Sequence, residues 1–108
     1  MIDLFTGKNV IIQGITGSHG SFQARAMRSA GTNVVAGTTP GKAGQLVDTI
    51  PVYDSIKDLQ QDHSFDISVI FVPARFVKGA LLEAISANIP LIICITEGVP
   101  VQEMLAVK

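Results

Sequence analysis

The chain has 108 residues, 47% hydrophobic and 16% charged, with a formal net charge of −1. That length suits one domain with its own core, and the composition excludes a disordered chain. No block of Lys and Arg offers a nucleic-acid surface, no apolar run is long enough to span a bilayer, and the start lacks the pattern of a signal peptide, so the expectation is a cytoplasmic protein with no nucleic-acid and no membrane partner.

In chain order, Val10 to Gln13 reads as a short buried strand. Ser18 to Ala30 reads as a helix, with Phe22, Ala26, Met27 and Ala30 on one face and Gly31 as its stop. Asn33 to Ala36 is a second strand, and "GTTPGKAG" after it is a loop. Pro51 to Tyr53 forms a short third strand, and Asp54 or Ser55 caps a helix running to about Gln61. Ile67 to Val72 is a β-branched apolar run ended by Pro73. Phe76 to Ala87 is a helix with Val77, Leu81, Ala84 and Ile85 on one stripe. Leu91 to Ile95 is another buried strand; the single cysteine, Cys94, lies in it and reads as a core thiol rather than a nucleophile. Pro100 suits the first turn of a last helix carrying Met104 and Leu105.

Apolar strands alternating with amphipathic helices specify an α/β fold, a doubly wound, mainly parallel, Rossmann-like sheet. Ligands of such sheets bind beyond the carboxyl ends of the strands. "GITGSHG", "GTTPGKAG" and "ITEG" all fall there, and "VPARF" could form a further wall. The chain stops after a helix where another strand is expected, which suggests residues 1–108 as a piece of a longer protein.

Glycine-rich turns before a helix let a phosphate approach the helix amides and their partial positive charge. Gly14, Gly17 and Gly20 have that setting, although their spacing is G-x-x-G-x-x-G rather than the dinucleotide G-x-G-x-x-G, and tight β–α turns also need glycine for conformation alone. An NAD site asks for an acidic residue about 20 positions on. None occurs between Asp3 and Asp48; the second strand instead leads to Lys42. That argues against NAD, and leaves NADP and coenzyme A, each with a phosphate on its ribose.

"QGITGSHGSF", "TTPGKAG", "SVIFVPARF" and "LEAISANIPLIICITEGVPVQEML" together closely resemble, in order and over nearly the whole chain, the CoA-binding domain of the α subunit of succinate–CoA ligase. The "TPGK" and "ITEG-x-P" segments carry more of that resemblance than the glycines do. It implies coenzyme A as the cofactor, with Thr16, Gly17, Ser18 and His19 in the contacting turn, Lys42 in its loop, and Ile95, Thr96 and Glu97 at the later strand end. It further implies the N-terminal fragment of a longer α subunit and a β subunit carrying the nucleotide site. The reaction would join succinate and CoA at the expense of a nucleoside triphosphate, with a phosphorylated histidine outside this chain. The fragment alone would then be inactive. Arg75 stands where the family commonly has a small residue or proline, and His19 where it varies among polar residues.

Each of these residues has a plainer role. Thr16 and Ser18 suit helix capping, Lys42 a solvated loop, and Glu97 local support of Gly98. Arg25 and Arg28 read as solvated helix positions. His63, in the polar segment "QQDHSFD", has no partner in sequence to orient it, and no metal cluster is visible. The chain thus offers no catalytic residue and no metal ligand of its own. Two further readings are a stand-alone CoA-binding or redox-sensing module and, behind it, an NADP-binding oxidoreductase domain.

Overall fold

A computed structural model of the protein describes residues 7–95 and 102–105. Its elements are β1 (Asn9–Gln13), α1 (Ser18–Ser29), β2 (Asn33–Thr38), β3 (Leu46–Val47), β4 (Ile50–Tyr53), α2 (Ile56–Gln60), β5 (Ile67–Ile70), α3 (Ala74–Ser86), β6 (Leu91–Cys94) and β7 (Gln102–Leu105). They form a sheet of order β3-β4-β2-β1-β5-β6-β7. The five strands from β4 to β6 pair in parallel, and β3 and β7 close the two edges antiparallel to their neighbours. The doubly wound order, with the progression of strands turning back at β1, is the one expected from the alternating strand and helix pattern.

Alternation along the strands builds two apolar layers. Val10, Ile12, Val34, Val52, Ile67, Val69 and Ile93 face the α1 side, where Ala24, Ile15 and Met27 meet them. Ile11, Ile70, Ile92 and Cys94 face the other side and pack with Ile56, Leu59 and Ala84 of α2 and α3. One polar pair is buried in this second layer: the Ser68 hydroxyl donates to Gln13 Oε1 at 2.7 Å, and Gln13 Nε2 donates to the Ala80 carbonyl at 3.0 Å, tying α3 to the sheet. Cys94 is buried, as its apolar run implies.

Both long helices end in the same way. Gly31 (φ +96°) and Asn88 (φ +59°) occupy the left-handed position just after α1 and α3. Thr32 then donates back to Met27 at 2.9 Å, and Ile89 to Ala84 at 3.5 Å.

Three expectations are corrected. The apolar stripe of α1 is not the buried one: Phe22 is 64% exposed and Ala26 and Ala30 are exposed, while Gly20 and Ala24 are buried and Met27 is half-buried. Small residues at i and i+4 let the helix lie close against the sheet, and that overrides the larger side chains. On α3, Ala84 is buried but Ile85 is exposed. Met104 and Leu105 belong to a strand rather than a helix, with Gln102 opposite Cys94 and Leu105 opposite Leu91. Pairing satisfies the donors and acceptors that β6 would otherwise leave open at the sheet edge, and four residues carry too little periodicity to oppose it. Pro100, the expected helix start, lies outside the described residues.

Candidate functional site

The ends of β1, β2 and β5 are stitched into one surface. Gly14 N and Ile15 N both donate to the Thr38 carbonyl, at 2.7 and 3.3 Å, and Phe71 N donates to the Gln13 carbonyl at 2.8 Å. Thr16 N reaches across to Thr39 Oγ1 at 3.3 Å. The turn after β1 is therefore held directly against the loop after β2. Ile95 extends the β5–β6 ladder by donating to Ile70 at 3.0 Å, and so stands at the same edge.

The three glycines of this turn have different tasks. Gly14 has φ +86°, and a Cβ there would lie 2.3 Å from the Phe71 carbonyl oxygen. A Cβ on Gly20 would lie 2.1 Å from the Gly14 carbonyl oxygen, because α1 leaves the sheet so closely. Both are required by the chain's own geometry. Gly17 is not: its φ of −68° and ψ of 161° suit any residue, and a Cβ would meet nothing closer than Gly14 O at 3.5 Å. Gly17 is the N-cap of α1, and no side chain caps it.

What Gly17 leaves open is a helix terminus. The first helical bond runs from Ser21 N to Gly17 O at 2.8 Å, so the amides of Ser18, His19 and Gly20 precede it. Gly17, Ser18 and His19 are exposed and Thr16 is half-buried. The capping role open to the Thr16 and Ser18 side chains is not the one they play; among the described residues it is the Ser21 hydroxyl that braces the turn, donating to the Ile15 carbonyl at 2.8 Å.

The loop after β2 behaves differently. Gly41 N and Ala43 N both donate to Asp54 Oδ1, at 3.0 and 3.1 Å. Lys42 N donates to Thr39 O at 3.0 Å, Gly44 N to Val52 O at 3.1 Å and Gln45 N to Lys42 O at 3.2 Å. Every amide from Gly41 to Gln45 is thus spoken for inside the protein. The loop offers a ligand the exposed Lys42 side chain, not its backbone. Asp54 was legible only as a possible cap for α2; Ser55 does the capping, accepting from Asp58 N at 3.2 Å, and Asp54 holds the Lys42 loop instead.

The site therefore brings Thr16, Gly17, Ser18 and His19 beside the Lys42 loop, with Ile95 two strands away. Thr96 and Glu97 lie outside the described residues. Arg75, in the first turn of α3, places its guanidinium 4.9 Å from the centre of the Phe76 ring. His63 does have an orienting partner, contrary to the sequence reading: its Nε2 lies 3.1 Å from the Tyr53 hydroxyl, which donates to Asp62 Oδ2 at 2.8 Å. Burial and the neighbouring Asp62 carboxylate both hold the Tyr53 hydroxyl above its ordinary pKa. His63 also borders a shallow groove formed with Ser64, Phe65, Asn88 and Pro90, residues that precede β5 and β6. That is the amino end of those strands, away from the glycine turn. Among the described residues no cluster of three His, Cys, Asp or Glu could hold a metal ion, and no helix is long and apolar enough to cross a membrane.

Comparison with known proteins agrees with this geometry. A family model described as a CoA binding domain matches residues 5–98. The chain is 50% identical over 99 residues to the succinate–CoA ligase [ADP-forming] subunit alpha of Aquifex aeolicus, covering 92% of this chain and 32% of that one. It is 49% identical over 94 residues to subunit alpha 1 of the same ligase from Archaeoglobus fulgidus, covering 87% and 32%. An ADP-forming sulfoacetate-CoA ligase subunit from an Acholeplasma species is 46% identical over 99 residues, covering 92% and 33%. The chain thus spans about a third of the length of these relatives. Among solved structures, a Rex-family repressor superposes with a TM-score of 0.69 at 22% identity, over 85% of this chain and 48% of that one, and shares the fold. With its family model spanning the sheet from β1 to β6 and its glycine turn and lysine loop set side by side, this chain belongs to the CoA-binding domain family.

Proposed function

We propose that this chain holds coenzyme A for an acid–CoA ligase, through Thr16, Gly17, Ser18, His19, Lys42, Ile95, Thr96 and Glu97. The observation that carries the reading is the uncapped start of α1 lying beside a loop whose amides are all occupied and whose lysine is exposed. The donor set fits a cofactor rich in phosphate: helix amides with a partial positive charge, the hydroxyls of Thr16 and Ser18, and one ammonium group. At the end of β2, where a dinucleotide site would place a carboxylate, stand Thr38 and Thr39.

When bound, coenzyme A supplies the thiol that takes up the acyl group. The role of this chain is to fix one end of that cofactor, turning an encounter into a positioned reaction. Succinate is the acid favoured by the ligase relatives, and the sulfoacetate ligase relative shows that a similar domain serves a different acid. Choice of acid then belongs to other parts of the enzyme. The chain is the N-terminal domain of a longer, cytoplasmic α subunit, which works with a β subunit carrying the nucleotide site.

This reading requires that the 108-residue chain alone form no succinyl-CoA from succinate, CoA, magnesium and ATP or GTP. The full α subunit with its β subunit should form it. Turnover by the isolated chain that disappears in His19→Ala or His63→Ala would contradict the reading.

A further inference from the structure

We propose that Asp54 is the positioning residue for Lys42, its side-chain oxygen acting as a fixed acceptor built into the loop; the inference rests on the CoA-binding reading of the site. Asp54 directly follows β4, and a single carboxylate oxygen of its side chain accepts the amides of Gly41 and Ala43, the two residues that flank Lys42. Gly41 and Gly44 adopt φ of +81° and +91°, which bends the loop around that oxygen. The remaining contacts of the loop are to backbone carbonyls of Thr39, Val52 and Lys42 itself, so Asp54 is the side chain that sets its shape.

Two consequences follow from chemistry. Converging amides are a common seat for an external phosphate. Here Asp54 fills that seat, so the loop keeps its form before a ligand arrives and spends the lysine rather than the backbone on the ligand. A carboxylate near an anion site is also electrostatically unfavourable for the anion. Its presence makes sense through geometry, because the oxygen position matters and the charge does not. Asp54 touches no ligand in this account; it acts through Lys42 by reducing the freedom the loop must lose on binding.

Four Asp54 variants of the full chain, with Lys42→Ala as the second single variant of the cycle, separate these effects, with CoA affinity read by calorimetry and folding by circular dichroism. Asp54→Asn keeps an acceptor oxygen in place and removes the charge; it should bind CoA within about threefold of wild type. Asp54→Glu keeps the charge and moves the oxygen outward by one methylene; it should bind about tenfold more weakly, as should Asp54→Ala, the loss expected when the two amide hydrogen bonds that shape the loop are misplaced or removed. In the double variant Lys42→Ala/Asp54→Ala the losses should not multiply, because Asp54 acts only through Lys42. Glu binding like wild type while Asn weakens would overturn the proposal in favour of a charge effect. Multiplying losses in the double variant would overturn it in favour of an independent role. If Asp54→Ala fails to fold, the Asn and Glu pair still decides. A wild-type chain that does not bind CoA refutes the CoA reading and the inference with it; a wild-type chain that binds, with all Asp54 variants unchanged, refutes the inference alone.

Discussion

Gly17→Asp is expected to make the protein more stable and a poorer CoA binder at once. Gly17 has the extended backbone of an N-cap and room for a side chain, with only Gly14 O 3.5 Å from an added Cβ. An aspartate there can accept from the free amides of His19 or Gly20. The gain over glycine is a few tenths of a kcal/mol from capping plus about 0.3–1 kcal/mol from negative charge at the helix start. The sum, about 0.5–1.4 kcal/mol, should raise the melting temperature by about 2–6 °C in a domain of this size. The same carboxylate takes a donor from the phosphate and places a like charge beside it. Losing one hydrogen bond to a charged group costs about 1.5–3 kcal/mol, and the repulsion adds to that, so affinity should fall by more than about tenfold. Thermal melts and calorimetry on the same sample measure both effects. Unchanged CoA affinity in a stabilised Gly17→Asp protein would refute the assignment of this helix start to the ligand. Affinity and stability falling together would show Gly17 to be structural, like Gly14 and Gly20.

Further outcomes are expected elsewhere. Lys42→Ala should weaken CoA about tenfold to a hundredfold with little change in melting, since one charge-assisted contact at an exposed loop tip is lost. Comparing CoA with dephospho-CoA in that variant identifies the phosphate Lys42 meets, and an unchanged dissociation constant would make it a surface lysine only. Gln13→Leu should destabilise by about 1–3 kcal/mol, because the buried Ser68 hydroxyl loses its acceptor and the Ala80 carbonyl its donor; a melt matching wild type would contradict this. Thr49→Gly should stabilise by about 1 kcal/mol, because a β-branched residue at φ +73° is strained. The Arg28 contact to the Thr49 hydroxyl that it removes is exposed, so an unchanged or lower melting temperature would show that contact to outweigh the strain.

The parts of the fold that could be read from the sequence are those where one physical demand dominates. The apolar runs VIIQ and ISVI are buried on both faces, and only a covered parallel sheet offers that environment. The glycine turn was legible as a turn, but not the division of labour within it, which depends on how closely α1 passes Gly14 O and how Phe71 O faces Gly14. The β3–β4 hairpin is not legible in the sequence, because its two-residue turn, Asp48–Thr49, has both residues at positive φ without the Asn-Gly or Asp-Gly pair that announces such turns. The last strand has the sequence of a helix start, and its pairing with β6 is a long-range fact that no local pattern shows. The sequence offers Asp54 or Ser55 as the cap of α2, and Ser55 fills that role; what Asp54 does instead is not legible, because its hydrogen bonds reach back 11 and 13 residues to a loop and no local pattern encodes them.

Calorimetric titration of the wild-type chain with CoA, and separately with NADP, tests the central claim most directly. The CoA-binding site built on the start of α1 and the Lys42 loop should give a saturable, one-to-one heat with CoA and none with NADP. Saturable binding of NADP with no heat from CoA would contradict it.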